Sequence, residues 1–406
     1  GGDWKIAFKD KKTAWPFAAA AAASIFKRNE TNPKFRVSDA FFTCGGREKQ
    51  FKDVLPGSDL KTRIVQEEDQ VMFLLGRPFT SRAEEFFKDS VLGPINLGKA
   101  ITHFGWNDLV TKKRIYPYAI EGDWKSWDSS LQRDKIITAF SVLRGMFPKS
   151  KAIDSMFCYF CWNFLYKKIV SPDGWTWSVE GGAPSGTVFT SLINTIAHAL
   201  IIEEVASKYT AFSKTPYDYN VAGDDLELFF YEKVSFNNDT FISWIKKRFD
   251  MNLDVRMKGQ PISDDPDKSC SFLKQVLYYD GDVVKFTTPP SVILKRLVIP
   301  GKNVITPSKY YDIILGQYDA VLGCKTSLDV LVGFILHGEL IRKEITAKQY
   351  LGQRWFHRMV LDSRCKELYF STEVGNNMNN GGRSYNSDKE SPFKYHKKIA
   401  RKDDPI

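Results

Sequence analysis

The sequence predicts an α+β fold in which a small antiparallel sheet is backed by helices. Three observations carry this. Tyr217 to Phe230 reads as strand, tight turn, strand, with Gly223-Asp224-Asp225 at the bend. Ser271 to Tyr279 and Val283 to Thr287 make a second such pair across Asp280-Gly281. Long runs of helical periodicity alternate with these strands: Leu131 to Met146, Ala152 to Val170 and Gly186 to Lys208.

The remaining elements follow in order. The first forty or so residues join a helix-prone alanine run (Ala18 to Ala23) to a polar break at Asn29 to Lys34. Residues 41 to 117 carry a basic stretch and then a helix, with Ser81-x-x-Glu84 as a capping box and Leu92-Gly93-Pro94 as the stop. Pro148 ends the helix from Leu131, and Ser171-Pro172-Asp173-Gly174 ends the one from Ala152. Trp175 to Val179 reads as a hairpin that leads into a glycine-rich loop. Phe241 to Phe249 reads as helix and Leu253 to Met257 as strand. From Ser291 to near Phe370 the pattern is helical, in Tyr311 to Leu322, Leu328 to His337 and Ala347 to Asp362. Gly375 to Ser387 is a polar, flexible tail with a basic end at Lys394 to Lys402.

With 406 residues the chain can bury a large core in two or three subdomains. Its net charge of +10 suits a polyanionic partner, although charge alone also fits many basic soluble proteins. Six cysteines show no disulfide framework, which points to a reducing compartment. Cys158-x-x-Cys161 sits in an apolar helical run without a second pair, so buried structural thiols are expected there rather than zinc ligands. No apolar stretch is long enough to span a bilayer.

Adjacent carboxylates at a hairpin tip repel unless a cation neutralises them, and a pair of divalent metal ions is one such cation source. Upstream, the apolar approach Tyr118 to Glu121 ends in Gly122-Asp123, with Asp128 five positions further on. Between the two acidic sites lies Gly181-Gly182-Ala183-Pro184-Ser185-Gly186, which runs into a helix carrying Thr190 and Asn194 on one face. His198, four residues after Asn194 on an apolar helix, reads as a packed histidine rather than a ligand.

The ordered set D-x4-D, S-G-x3-T-x3-N and G-D-D resembles palm motifs A, B and C of viral RNA-dependent RNA polymerases. The resemblance spans roughly residues 45 to 290 and points to the picornavirus-like supergroup in the broad sense, with calicivirus, astrovirus, partitivirus and picobirnavirus branches unresolved. It implies a right-hand architecture. Residues 1–117 would be fingers and an N-terminal extension, 118–130 palm with motif A, and 131–180 a fingers insertion. Residues 181–290 would be palm with motifs B to E, 291–370 a helical thumb, and 371–406 a flexible tail.

The same resemblance implies template-directed RNA synthesis from ribonucleoside triphosphates by two-metal phosphoryl transfer. Asp123 and Asp224 would be the principal Mg²⁺ or Mn²⁺ ligands and Asp225 a secondary one. Asp128 and Asn194, with Ser185, Gly186 and Thr190 nearby, would read the ribose 2′-hydroxyl. Arg47, Lys61 and Arg63 resemble motif F and would line the triphosphate channel. Lys268 resembles the motif D lysine that protonates the leaving pyrophosphate, and equally fits a surface lysine paired with Asp265 or Asp267. The implied partners are an RNA template, a primer or nascent RNA, nucleotides and other viral replication proteins. The implied location is the host cytoplasm, in a replication complex or particle. Motif C reads Ala-Gly-Asp-Asp here, where close picornaviral relatives carry Tyr first.

Two rival readings remain open on sequence. A reverse transcriptase shares the palm but favours an aromatic or small residue where Asp128 stands. A catalytically inactive palm-like RNA-binding protein would explain the charge but not the three intact aspartates.

Overall fold

A computed structural model describes residues 11–33, 40–48, 62–90, 93–99, 107–171, 173–209, 216–232, 238–298, 317 and 324–332. The elements run α1 (Lys11–Thr31), β1 (Phe41–Glu48), β2 (Thr62–Glu68), α2 (Gln70–Asp89), α3 (Asn107–Ile115), β3 (Tyr118–Lys125) and α4 (Trp127–Ser130). Then come α5 (Arg133–Gly145), α6 (Lys151–Leu165), β4 (Tyr166–Val170), β5 (Thr176–Glu180), α7 (Thr190–Lys208), β6 (Tyr217–Ala222) and β7 (Asp225–Phe230). They end with α8 (Asn238–Phe249), β8 (Asn252–Gly259), β9 (Ser271–Phe272), β10 (Gln275–Asp280), β11 (Val283–Thr287) and α9 (Pro290–Val298). The chain divides into two compact units: Gly1–Lys49 with Gly57–Lys99 and Ile120–Met257, and Gln50–Pro56 with Ala100–Ala119 and Lys258–Ile406.

The first unit holds two four-stranded sheets. One has the order β2-β1-β4-β5; the other has β6-β7-β3-β8. In the first, β1 is antiparallel to β2 (Cys44↔Gln66) and parallel to β4 (Phe42↔Ile169). In the second, β6 and β7 form the expected hairpin, with Ala222 opposite Asp225. The outer edge of β6 is covered, because Asn96 N–H donates to the Val221 oxygen (3.0 Å) and Val221 N–H to the Pro94 oxygen (2.9 Å). That pairing removes an open strand edge.

Helix α7 is the axis of this unit. Ile193, Ile196, Ala197, Ile201, Ile202 and Val205 are all buried, so the helix is apolar nearly all round. An aromatic core ties its start to three other helices. Phe189, just before α7, lies 4.7 Å from Phe160 of α6 and 5.5 Å from Phe140 of α5, centroid to centroid. Phe79 of α2 meets Phe160 edge-on at 5.8 Å. Tilted and edge-on pairs of this kind add about 0.5–1.5 kcal/mol each beyond the area they bury. At the far end of α7, Glu204 binds Lys135 of α5 at 2.5 Å and Arg248 of α8 through Nε at 2.7 Å. Burial works to raise the Glu204 pKa, but the bonds from Lys135, Lys208 and Arg248 outweigh it and bring it down to about 2.

The second unit contains the sheet β11-β10-β9. Asp280 pairs with Val283 across a turn in which Gly281 has φ 62°. Val110 of α3 packs with Ile262, Leu277 and Val284 as its apolar core. The Lys113 Nζ of α3 donates to the Cys270 carbonyl at 2.6 Å.

Several local expectations are corrected. Ser81 lies inside α2, which starts at Gln70 because Asp69 Oδ1 accepts from Met72 N–H at 2.8 Å and caps it earlier. The segment Tyr166 to Val170 is a strand, since β5 and β1 supply it with partners on both sides. Helix α7 begins at Thr190 rather than Gly186. The strand from Ser271 breaks at Leu273 and Lys274, both with positive φ. Cys158 is exposed and Cys161 half-buried, so the pair is not the buried one expected. Residues 325–332 are helical, while the helices anticipated at Tyr311 to Leu322 (Gln317 apart) and Ala347 to Asp362, and the tail, lie outside the described residues. Among the described residues no helix is long and apolar enough to cross a membrane.

Candidate active site

The acidic site is built where β3 meets the β6–β7 hairpin. Central strand β3 lies between β7 and β8. A Cβ placed on its Gly122 would sit 2.8 Å from Leu226 Cδ2 and 3.1 Å from Leu253 Cδ1. A side chain there would have to displace these two leucines, and the close approach sets Asp123 beside the start of β7. Gly223 has φ 63° and with Asp224 makes the two-residue turn between Ala222 and Asp225. Asp123 and Asp225 are exposed, and Asp224 is half-buried. Carboxylates from distant parts of the chain therefore gather at one end of one sheet.

Among the described residues no three or more His, Cys, Asp or Glu side chains stand together so that they could hold a metal ion by themselves. What the sheet presents is an open set of oxygen donors. Such a set fits Mg²⁺ or Mn²⁺, which bind through a few carboxylates and keep waters or phosphate oxygens in the remaining positions.

A buried network fixes this arrangement from behind. The indole Nε1–H of Trp124 donates to His198 Nε2 at 2.8 Å. Indole nitrogen only donates, so Nε2 is the acceptor and the proton of a neutral imidazole sits on Nδ1. Nδ1 lies 2.9 Å from the Gly223 carbonyl oxygen, to which it donates. The Gly223 N–H in turn donates to Thr195 Oγ1 at 2.8 Å. His198 and Thr195 are both fully buried, and Trp124 and Trp127 pack their rings on the imidazole. Burial lowers the His198 pKa to about 4, against the bond to Gly223, so the ring is neutral at physiological pH. The histidine is packed as expected, but it also uses both nitrogens to join the strand of Asp123 to the turn of Asp224. The one sequence signal for this was its place a turn beyond Asn194.

On the other side of Trp124, Ser126 takes a left-handed conformation (φ 55°, ψ 40°), which costs about 1 kcal/mol or more outside glycine. The bend turns β3 into α4 and brings Asp128 Oδ1 to 3.2 Å from Asn194 Nδ2. Ser126 occupies the N-cap position of α4. Asn194 is buried, and its Oδ1 has no hydrogen-bond partner. A buried acceptor left unpaired is costly, and this one lies on the side chain that bonds Asp128.

The glycine loop docks on β2. Gly186 bridges Glu67, its oxygen accepts from Glu68 N–H at 3.3 Å, and Ser185 Oγ accepts from Gln66 N–H at 3.3 Å. The Thr190 hydroxyl donates to the Pro184 oxygen at 2.7 Å and accepts from Thr187 N–H at 3.0 Å, so it organises the loop itself. Arg47 is paired with Arg63 in the backbone register of β1 and β2, on the sheet that receives the loop. Lys61 lies outside the described residues. Lys268 belongs to the second unit, where its Nζ is exposed and 3.5 Å from Asp265 Oδ2.

Residues 38–297 match the family of viral RNA-dependent RNA polymerases. Over 109 residues the chain is 29% identical to the genome polyprotein of vesicular exanthema of swine virus, a stretch equal to 27% of this chain and 6% of that one. The chain thus spans a small part of that relative's length. Among solved structures, the sicinivirus 3Dpol RNA-dependent RNA polymerase superposes with a TM-score of 0.60 at 15% identity, covering 83% of this chain and 71% of that one. The RNA-dependent RNA polymerase of a human picobirnavirus gives 0.57 at 13%, covering 83% and 64%. These likenesses show the α+β right-hand fold. With the family pattern matched over more than half its length, the chain belongs to the viral RNA-dependent RNA polymerases.

Proposed function

We propose that this protein elongates RNA on an RNA template, using ribonucleoside triphosphates and releasing pyrophosphate, in the replication and transcription of a viral genome. The observation that carries the reading is the joint attachment of Trp124 and Gly223 to His198, which draws Asp123 and Asp224 to one end of one sheet. Asp123 and Asp224, with Asp225 in a secondary place, would hold divalent metal ions. When bound, such ions supply Lewis-acid stabilisation of the attacking and leaving oxygens.

The rest is work for the chain's own groups. The Asn194 Oδ1 accepts a hydrogen bond from the ribose 2′-hydroxyl, whose oxygen can in turn accept from a neighbouring donor. The Asp128–Asn194 pair favours this reading over a reverse transcriptase, which must reject that hydroxyl. Ser185, Gly186 and Thr190 shape the loop that faces the nucleotide. Arg47, Lys61 and Arg63 would neutralise the triphosphate, Arg through its forked donors. The resemblance also assigns Lys268 to protonation of the pyrophosphate. We read fingers, palm and thumb along the boundaries given above, action beside other viral replication proteins, and a host-cytoplasmic or particle location. The test is Asp224→Ala on a primed RNA template. Elongation is expected to be lost while RNA binding persists; continued synthesis would remove the carboxylate from the mechanism.

A further inference from the structure

Two ionisable side chains outside the motif residues grip the glycine loop, one at each end. Lys167, on β4, is 1% exposed. Its Nζ donates to the carbonyl oxygens of Gly181 at 2.6 Å, Gly182 at 3.0 Å and Phe164 at 3.1 Å. An ammonium has three protons, and here each has a backbone acceptor. At the other end Glu68, the last residue of β2, accepts from the Val188 N–H at 2.7 Å through Oε1. Its Oε2 is cut off from solvent without a hydrogen-bond partner. The same residue donates its own N–H to the Gly186 oxygen.

Such groups are expensive to bury. Burial alone brings the Lys167 pKa down to about 8. For Glu68, burial pushes the carboxyl up to about 8, with the Val188 bond opposing and the nearby Asp69 charge adding. A chain that needed only a fixed loop could use neutral caps. Here the loop, which runs from two glycines of positive φ (Gly181 and Gly182) to the Thr190 hydroxyl bond, is held at each end by an ionisable side chain instead.

We propose that Lys167 and Glu68 are positioning residues for the glycine loop, holding its two ends so that Ser185 and Asn194 stand in register for the incoming nucleotide. This rests on the reading of the loop as the nucleotide-facing element of a polymerase. It makes the loop's position a property of β2 and β4 as well as of the glycines.

The experiment has two arms. Hydrogen–deuterium exchange of residues 181–189 is measured for the wild type, Lys167→Met, Glu68→Leu and Glu68→Gln. Faster exchange confined to this loop is expected in the first two variants, and near wild-type exchange in Glu68→Gln, whose amide oxygen still accepts from Val188. Steady-state incorporation should then show KM for nucleotide raised by about fivefold or more in Lys167→Met and Glu68→Leu, with kcat changed less, and rescue in Glu68→Gln. Unchanged loop exchange in folded Lys167→Met and Glu68→Leu would overturn the proposal even if synthesis is normal. So would a fall in kcat with KM unmoved. The exchange arm needs no activity, so absence of synthesis in the wild type would count against the polymerase reading alone.

Discussion

The imidazole Nδ1 of His198 donates to the carbonyl oxygen of Gly223 across 2.9 Å, and this bond holds the acidic turn to the central helix. His198→Phe keeps a ring among Trp124 and Trp127 but removes both hydrogen bonds. The buried Trp124 N–H and the half-buried Gly223 carbonyl would be left unpaired, the first at about 1–3 kcal/mol and the second at less. Chemical denaturation should show a loss of about 2–4 kcal/mol, and the elongation rate should fall further than nucleotide KM rises. A variant with unchanged stability and rate would show that these bonds do not hold the turn.

Sugar discrimination should depend on Asn194. Its buried Oδ1 is otherwise unpartnered, and its Nδ2 steadies Asp128. Asn194→Ala is expected to lower the preference for ribo- over deoxyribonucleotides by about tenfold or more. Competing incorporation of NTP and dNTP on one template measures it. An unchanged ratio would place 2′-hydroxyl recognition elsewhere.

Stability should depend on pH through Glu68. Its carboxyl pKa rises from 4.5 to about 8 on folding, so between those values the folded state holds a proton that the unfolded state has lost. The contribution is fully present below pH 4.5 and is lost as pH climbs through 8. Glu68→Gln cannot titrate. The stability difference between wild type and variant should shift against the wild type by on the order of 2–4 kcal/mol over that window, discounted because the residue as a whole keeps some solvent contact although its Oε2 has none. Parallel denaturation curves at several pH values would show a flat difference if the carboxyl titrates normally.

Gly186 is expected to tolerate no side chain. A Cβ there would lie 2.7 Å from the Gln66 carbonyl oxygen and 3.2 Å from Glu67 Cα, both backbone. Gly186→Ala must push the loop off β2, at about 1–3 kcal/mol. Nucleotide KM should rise with it. A fully stable and active Gly186→Ala would mean that the loop has another place to sit.

Much of the site could be read in the chain because its residues are local. A glycine and an aspartate between two apolar alternating runs can hardly be anything but a hairpin tip, and β6 and β7 pair there. The helix α7 was legible from its apolar length, although Thr190 and Pro184 hold its first expected turn as loop. The sheet β2-β1-β4-β5 was not. Its pairing of β1 with β4 joins Phe42 to Ile169, and no local pattern announces a partner that far away. The same limit explains Tyr166 to Val170, where helical periodicity gave way to partners on both sides.

Residue order alone marked which side chains were candidates: Asp123, Asp128, Asn194, Asp224 and Asp225 stand at the spacings by which the chain resembles the polymerase palm motifs. What holds them was decided only in three dimensions. A histidine that could have been mere core turned out to bridge Trp124 and Gly223, and Lys167 and Glu68 to grip a loop distant in the chain. Periodicity records which face of an element is buried. Hydrogen-bond partners of buried polar atoms are settled by whichever strand or helix arrives next to them, and that is information carried by packing rather than by neighbours in sequence.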